Sequence, residues 1–371
     1  MTGFKNIVLV AGARPNFMKV APLMWEFRNY PERFRVQLIH TGQHYDAEMS
    51  DVFFRDLDLP QPERFLGIGS GSHAEQTARV MVAFEQVCVE ERPDLVLVVG
   101  DVNSTMACAI TAKKLCISVA HIEAGLRSRD WAMPEEINRV VTDAISDLLF
   151  TPSRDANVNL VREGILPERI HFVGNVMIDS LLAQLPKTEK RDTLRRFSRD
   201  AGHYATLTLH RPSNVDVPEV FAGIVEVMTE LSRQLPIIWP IHPRSRKMLD
   251  QIGLTPQIES SPGIQLTEPM GYLDMLTLNR HARLILTDSG GLQEEAVVLG
   301  IPCITLRQNT ERPVTVEVGA NHLAGNEPSG IRAAIQSILN NHGPKIRIPE
   351  FWDGKAAARI IDVLIHLNTQ G

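Results

Sequence analysis

Two strongly apolar runs in this sequence each end in a carboxylate. The run "LVLVVGDVNST" (residues 95–105) reaches Asp101, and "SVAHIEAGLRSRDWAMPEEINR" (residues 118–139) passes from an apolar run into Glu123. Glu135 follows in the second stretch, beside Arg139. Ligands of open parallel sheets bind beyond the carboxyl ends of the strands, so carboxylates at these ends deliver charge to a ligand. Taken alone, "PEEINR" is only a helix start with Pro134 at its first position.

The stretch "LTDSGGLQEEAVVLG" is typical of a phosphate site. Ser289, Gly290 and Gly291 lie between a predicted strand and a predicted helix. Glycines let a phosphate approach the backbone, and a helix N-terminus offers free N–H groups with partial positive charge. Glu294 and Glu295 follow one turn later, where a carboxylate can accept hydrogen bonds from ribose hydroxyls. A helix start with serine as N-cap is the alternative, and the glycine and acidic pairs together favour the nucleotide site.

Other predicted strand ends carry charged or hydrogen-bonding groups in the same way. After the strands of the first half come Arg14, Lys19 and Gln43, and after those of the second half come His210 and His242. So many polar strand ends predict a site between two Rossmann-like halves. Neither HExxH nor clustered cysteine and histidine residues are present, so the sequence predicts no metal. It also lacks a credible dinucleotide fingerprint, because "GIGSGS" (residues 67–72) follows no clear strand.

Apolar runs alternate with amphipathic stretches along the whole chain. This pattern predicts an α/β protein whose parallel sheets are covered on both faces. The length of 371 residues favours two domains. The polar segment 177–203 is the candidate connection between them. The predicted division is residues 1–176 plus 355–371, and residues 177–354.

Composition excludes several classes of protein. A net charge of −6 argues against a general nucleic-acid or anionic-membrane binder. None of the apolar runs approaches the roughly 20 residues that span a bilayer, and "NIVLVAGA" lacks the cleavage pattern of a signal peptide. The four cysteines form no CxxC pair, which favours reduced, buried thiols in a cytoplasmic protein.

Taken together, these motifs resemble the non-hydrolysing UDP-N-acetylglucosamine 2-epimerases. The matching stretches are "GARPNFMKVAPL", "HTGQH", "GDVNST", "HIEAGLRS", "MPEEINR", "VGNVMIDSLL", "LHRPSNVD", "PIHP", "LTDSGGLQEEAVVLGIPCITLR" and "NTERPVTVEVG". The resemblance implies the GT-B fold, two doubly wound Rossmann-like domains with a cleft between them. It also implies that the last helix, "GKAAARIIDVLIHLN", crosses back to the first domain, and that the protein is a homodimer.

The same resemblance implies a reaction and a set of roles. The family inverts C2 of UDP-GlcNAc to give UDP-ManNAc, by elimination of UDP to 2-acetamidoglucal and re-addition, without a cofactor. Asp101, Glu123 and Glu135 would then be the acid and base groups, with the step served by each left open. Arg14 and His210 would stabilise the departing UDP, with Lys19 nearby. The implied UDP-binding residues are Arg14, Lys19, Gln43, Arg139, His242, Met275, Ser289, Gly290, Gly291 and Glu295. Among them, Met275 would lie near the uracil and Glu295 at the ribose. Arg139 would orient Glu135 or contact phosphate.

Departures from the family pattern leave alternatives open. Asn16 stands where the family commonly has an acid. Several members of the family bind a second substrate molecule as an activator, but most of the stretch that binds it is absent here, which argues against activation by substrate. The "GARPNF" and "MPEEINR" forms also resemble relatives that act on UDP-2,3-diacetamido-glucuronic acid. A GT-B glycosyltransferase, a hydrolysing epimerase and a nucleotide-sugar-binding module without catalysis are the other candidates.

Overall fold

The chain folds into two compact units, each built on a parallel sheet. The computed structural model describes residues 4–42, 54, 56–340 and 345–369. One unit comprises residues 1–183 and 350–371, and the other comprises residues 184–349. The boundaries between the two units, at 183/184 and 349/350, fall near the predicted domain boundaries at 176/177 and 354/355. The domain boundaries themselves stay a prediction. The first boundary lies within the helix Val176–Thr188, at the start of the predicted connection 177–203.

The first unit contains seven strands within its described residues. They are β1 (Asn6–Ala11), β2 (Arg35–His40), β3 (Arg64–Phe65), β4 (Leu95–Val99), β5 (Ser118–Ile122), β6 (Leu148–Thr151) and β7 (Ile170–Phe172). The strand order is β3-β2-β1-β4-β5-β6-β7, and every pair is parallel. Every residue of β4 is buried, as expected for a strand covered on both faces.

Helices connect these strands. They are α1 (Arg14–Phe27), α2 (His73–Glu91), α3 (Asn103–Lys114), α4 (Pro134–Ile145), α5 (Arg154–Arg162) and α6 (Val176–Thr188), with a 3₁₀ turn at Pro167–Arg169. Helix α2 begins with a capping box, in which Ser72 accepts from the Glu75 N–H and Glu75 accepts from the Ser72 N–H. The predicted helix start at Pro134 is confirmed, with Met133 as N-cap.

The second unit repeats the plan. Its strands are β8 (Ala205–Thr208), β9 (Ile237–Pro240), β10 (Ile264–Thr267), β11 (Leu284–Thr287), β12 (Cys303–Thr305) and β13 (Asn321–Leu323). Its helices are α7 (Thr193–Arg196), α8 (Pro212–Val215), α9 (Pro218–Ser232), α10 (Pro243–Gln251), α11 (Thr255–Glu259), α12 (Tyr272–His281), α13 (Gly290–Leu299), α14 (Pro313–Glu317) and α15 (Pro328–Asn340). The order β10-β9-β8-β11-β12-β13 is that of a doubly wound sheet, so the prediction of Rossmann-like domains is confirmed.

The last helix, α16 (Ala356–Thr369), belongs to the first unit. Asp179 of α6 accepts hydrogen bonds from the backbone N–H groups of Ala356 (3.1 Å) and Ala357 (2.8 Å). A carboxylate from another helix therefore satisfies donors that a helix start leaves open. At the end of α16, Asn368 exchanges two hydrogen bonds with the backbone of Phe4.

Each sheet reverses its strand order once, and this switch point determines where polar groups gather. In the first unit it lies between β1 and β4, and in the second between β8 and β11. The loops that leave the carboxyl ends of these strands diverge and open a crevice for ligand. They carry Arg14 and Asp101 in the first unit, and His210 and Asp288 in the second.

Two further properties bear on function. None of the helices within the described ranges is long and apolar enough to cross a membrane. Cys88, Cys108 and Cys303 are buried free thiols. The prediction was wrong for Cys116, which is exposed because it occupies a turn after α3 with φ of 59°.

Candidate active site

Glu123 is held at the end of β5 in a backbone conformation that non-glycine residues rarely adopt. Its φ is 73°, in the left-handed region, at a cost on the order of 1–3 kcal/mol. The N–H groups of Glu123 and Ala124 both donate to the carbonyl of Phe150, at 3.0 Å each, and this shared acceptor fixes the turn. The side chain is buried. Strain maintained by the surrounding structure is typical of functional positions.

A lysine from another element neutralises this carboxylate. Lys19 Nζ of α1 contacts Glu123 Oε2, and both side chains are buried. Gly100, with φ of 67°, makes room for the pair, because a Cβ there would lie 2.8 Å from Lys19 Nζ. The structure therefore places Lys19 on Glu123, a contact that the sequence analysis did not predict.

Asp101 is also paired with a buried cation. Arg139 Nη1 lies 2.5 Å from Asp101 Oδ2, and the side chain of Asp101 remains 26% exposed, so it can still reach a ligand. Asn138 donates to the carbonyl of Asp101 at 2.9 Å. Helix α4 thus holds both the side chain and the backbone of Asp101.

Glu136 fixes the other side of the same arginine. Its Oε2 accepts from Arg139 Nε (3.0 Å) and Nη2 (2.6 Å), and its carboxylate also accepts from the N–H groups of Ser128 and Arg129. Burial alone would raise the pKa of Glu136, but these hydrogen bonds and the guanidinium charge hold it below its ordinary value. Glu136 was not among the predicted site residues, although Glu136 lies three residues before Arg139 on a helix, and that spacing is the signal for such a pair.

Glu135 lies in the first turn of α4 and is half-buried. A carboxylate at this position interacts favourably with the positive end of the helix dipole.

Arg14 is the first residue of α1, at the carboxyl edge of β1. The loop before it is held by Asn16, whose Oδ1 accepts from the N–H groups of Gly12 and Ala13 at 2.9 Å each. Gln43 lies outside the described residues.

In the second unit, His210 is oriented by a buried aspartate that the predicted site omitted. His210 Nδ1 lies 2.7 Å from Asp288 Oδ1, and Asp288 is fully buried. The backbone N–H groups of His210 (2.9 Å) and Arg211 (2.8 Å) also donate to this carboxylate. Burial opposes the charge of Asp288, yet the bonds from His210 and the two amides keep its pKa below the ordinary value. The ring's Nε2 is left facing away from the carboxylate.

His242 occupies the N-cap of α10, with its ring centroid 5.8 Å from that of His210. Its Nδ1 accepts from the N–H of Arg244 at 3.1 Å, which requires an unprotonated nitrogen. Burial, followed by the nearby charges of His210 and Arg244, lowers the pKa of His242. This neutral ring can donate through Nε2 to a hydroxyl or a phosphate oxygen.

The Ser289–Gly290–Gly291 loop leads from β11 into α13, with Ser289 at the N-cap. Gly290 packs on two buried charged side chains, because a Cβ there would lie 2.6 Å from Arg312 Nη1 and 2.7 Å from Glu311 Oε1. Arg312 Nε in turn lies 2.8 Å from Glu294 Oε1. Glu294 therefore belongs to a group of buried ion pairs next to the loop.

Glu295 has a different environment from its neighbour. Tyr272 Oη donates to its Oε1 at 3.1 Å. Burial raises the pKa of Glu295 to about 7, with the charge of Glu294 adding to this and the Tyr272 bond opposing it. Met275 lies one turn after Tyr272 on α12 and is half-buried. Residues three apart share a helix face, so Tyr272 and Met275 present one surface.

The family model for UDP-N-acetylglucosamine 2-epimerase matches residues 27–365. The chain belongs to this family. A Methanocaldococcus jannaschii UDP-N-acetylglucosamine 2-epimerase is 45% identical over 366 residues, covering 97% of this chain and 99% of the relative. A UDP-2,3-diacetamido-2,3-dideoxy-D-glucuronate 2-epimerase of Pseudomonas aeruginosa is 39% identical over 367 residues, covering 98% and 100%.

Solved structures of the epimerase family agree with this membership. The M. jannaschii enzyme in complex with UDP-GlcNAc and UDP superposes with a TM-score of 0.90 at 44% identity, covering 97% of this chain and 99% of that one. The Neisseria meningitidis enzyme bound to UDP-GlcNAc gives 0.89 at 29% identity, covering 97% and 100%. A Rickettsia africae glycosyltransferase matches at 0.57 and 11% identity, which shows the fold alone. The domains of this epimerase-family chain are therefore of the GT-B type.

Proposed function

We propose that this chain interconverts UDP-GlcNAc and UDP-ManNAc by inverting C2 of the sugar. The observation that carries the proposal is a pair of strand-end carboxylates, Asp101 and Glu123, each held against a buried cation from a different helix. Family membership and the relatives that carry this name support the same reaction.

The chemistry is an elimination followed by an addition. A base removes the C2 proton, and the electron pair of the C2–H bond forms the C1=C2 double bond. The C1–O bond breaks, and its electrons leave with UDP. In the return step an oxygen of UDP attacks C1, and a proton is delivered to the opposite face of C2. Nothing is oxidised or reduced overall, so the cycle is complete with acid and base groups and stabilisation of the leaving diphosphate.

The first unit supplies the acid and base groups in this proposal. Opposite faces of C2 need different groups, and Asp101, Glu123 and Glu135 are the carboxylates that serve them. Lys19 and Arg139 contact two of these carboxylates and hold them in place. Their contacts support an indirect role in catalysis, and Arg14 at the start of α1 would meet the departing phosphate.

The second unit binds UDP in this proposal. His210, donating through Nε2, would stabilise the leaving diphosphate, with His242 beside it. The N–H groups at Ser289, Gly290 and Gly291 would hold phosphate oxygens, as helix starts commonly do. Glu295 would accept from the ribose hydroxyls and Met275 would lie against the uracil, which extends the UDP site along α12 and α13.

A related sugar is the second candidate substrate. The P. aeruginosa relative that acts on a diacetamido-glucuronate is 39% identical over nearly the whole chain. Its reaction needs the same acid and base groups at C1 and C2. The two candidates therefore differ only in the groups around the rest of the sugar ring.

The test is incubation with UDP-GlcNAc in D2O, followed by NMR. We expect UDP-ManNAc with deuterium at C2 and no accumulation of free ManNAc. Asp101→Asn should abolish exchange, whereas Asp94→Asn is the matched control. Asp94 binds backbone N–H groups of Lys5 and Asn6 at the opposite end of the same strands. Stoichiometric release of UDP and free ManNAc would contradict the non-hydrolysing reaction, and exchange only with the diacetamido sugar would favour the second candidate.

We further propose that the enzyme is a homodimer of the cytoplasm. Its free thiols fit a reducing compartment. Light scattering on the purified chain tests the assembly, since a dimer has twice the mass of the 41.4 kDa chain. A particle with the mass of one chain at micromolar concentration would exclude the dimer.

A further inference from the structure

His121 is a fully buried histidine of β5, two residues before Glu123. Both of its ring nitrogens meet oxygen atoms. Nδ1 lies 2.6 Å from Asp143 Oδ1 of α4, and Nε2 lies 2.8 Å from the carbonyl oxygen of Gly100. A backbone carbonyl has no proton to donate, so Nε2 must be the donor in that bond.

The state of Asp143 decides which group donates in the other bond. Its second oxygen, Oδ2, accepts from the N–H of Gly125 at 3.0 Å and lies 2.7 Å from Arg127 Nη1. A carboxylate that meets a guanidinium and an amide is stabilised as the anion. Asp143 therefore accepts on both oxygens, and Nδ1 of His121 must carry a proton as well.

The charges of the surrounding groups balance in that state. Arg127 Nη2 lies 2.6 Å from Glu163 Oε2, so two cations, His121 and Arg127, face two anions, Asp143 and Glu163. Lys19 approaches from α1 on the far side of Gly100, where it is paired with Glu123. A neutral His121 would leave a lone pair facing an oxygen atom in a buried site, which is costly.

We infer that His121 is a buried imidazolium that positions the Gly100–Asp101 turn. This inference rests on the proposed function only where it calls Asp101 an acid or base. Gly100 is held from both sides, because its N–H donates to the carbonyl of Ile122 at 3.1 Å and its own carbonyl accepts from His121. His121 thus couples the Asp101 turn to the strand that ends in Glu123. It touches no reacting atom and is a positioning residue.

A matched pair of substitutions separates its two bonds. The amide nitrogen of glutamine can occupy the place of Nε2 and keep the bond to Gly100, while that of asparagine matches Nδ1 and keeps the bond to Asp143. We expect His121→Asn to lower kcat by about 10²-fold, because small misplacements of catalytic groups have costs of that order. We expect His121→Gln to stay within about tenfold of the native kcat, and both variants to leave KM within about threefold.

Two readouts do not depend on activity. In ¹⁵N-histidine-labelled native protein, both ring nitrogens of His121, assigned by their loss in the variants, should show the shifts of protonated nitrogens. Crystal structures should show the Gly100 carbonyl displaced in His121→Asn and retained in His121→Gln. A shift typical of an unprotonated ring nitrogen would overturn the imidazolium, and an undisplaced turn in both variants would overturn the positioning role. If native protein fails to epimerise but shows both signatures, the proposed function fails and this inference stands.

Discussion

Replacing Asp288 with asparagine should weaken His210 as a donor to the diphosphate while leaving its side chain in place. The carboxylate of Asp288 accepts from His210 Nδ1 on one oxygen and from the backbone N–H groups of His210 and Arg211 on the other. In Asp288→Asn, the remaining oxygen satisfies the backbone donors and the new NH2 group faces Nδ1. The ring must then present a lone pair at Nδ1, and its cationic form is disfavoured.

The size of the effect follows from the lost charge. The neutral ring still donates through Nε2, but a hydrogen bond from a cation is about twice as strong as one from a neutral donor, a difference of about 1–1.5 kcal/mol. We therefore expect kcat of Asp288→Asn to fall by about tenfold. Losing a buried charged acceptor should also lower the stability of the fold by about 1–3 kcal/mol.

Stability should also lose part of its dependence on acid. The folded-state pKa of Asp288 is lower than ordinary, because bonds from His210 and the two amides outweigh burial. Such a group contributes stability that is present above the unfolded pKa and is lost as the pH falls through the folded value. Urea unfolding between pH 2 and pH 6 should thus show a flatter acid limb for Asp288→Asn than for the native protein.

The assay is C2 exchange in D2O, with Asp216→Asn as control. Asp216 lies nearby but is half-exposed in its pair with Arg244, an interaction worth about 0–1 kcal/mol. The double variant His210→Ala/Asp288→Asn should lose less activity than the sum of the two single losses, because the two residues act as a unit. If Asp288→Asn keeps kcat within about threefold while His210→Ala loses 10²-fold, the orienting role is refuted.

Three further predictions concern neighbouring groups. Glu136→Gln should lower the melting temperature, measured by calorimetry, and should lower kcat for C2 exchange at least tenfold. The reason is that breaking a buried ion pair costs about 3–5 kcal/mol. UDP affinity, measured by titration calorimetry, should rise as the pH passes through about 7, because Glu295 ionises there. Tyr272→Phe should move the midpoint of this rise to higher pH, because it removes a hydrogen bond that favours the Glu295 anion. Gly290→Ala should weaken UDP binding, because its Cβ would lie 2.6 Å from a buried charge, whereas Gly271→Ala meets nothing within 4 Å.

The sheets and the strand-end positions were predictable from the sequence for a simple reason. Continuous apolar runs such as β4 are stable only when both faces are covered, which requires parallel strands with helices between them. Once the strands are parallel, their carboxyl ends share an edge, so Asp101 and Glu123 fall there by backbone geometry alone. The same rule placed His210 at the edge of the second sheet.

The partners of these groups were not predictable in the same way. Lys19 and Glu123 are separated by 104 positions, and their contact depends on how α1 packs over the sheet. Glu135 and Glu136 are adjacent, yet successive residues of a helix point about 100° apart. Both lie within helical reach of Arg139, at spacings of four and three, so spacing alone does not single out the bond of Glu136 to Arg139 that the structure shows.

The pairing of strand-end carboxylates with buried cations sets the positions of the proposed acid and base groups. At an effective dielectric of about 20, an ion pair near 3 Å gains roughly 5 kcal/mol, while burial of each ion costs several kcal/mol. Because these terms nearly cancel, the net energy of each pair depends on small displacements of Lys19 or Arg139. Glu136 shares Arg139 with Asp101 and so helps to fix the distance between Arg139 and Asp101. Buried His121 holds the turn that keeps that distance fixed.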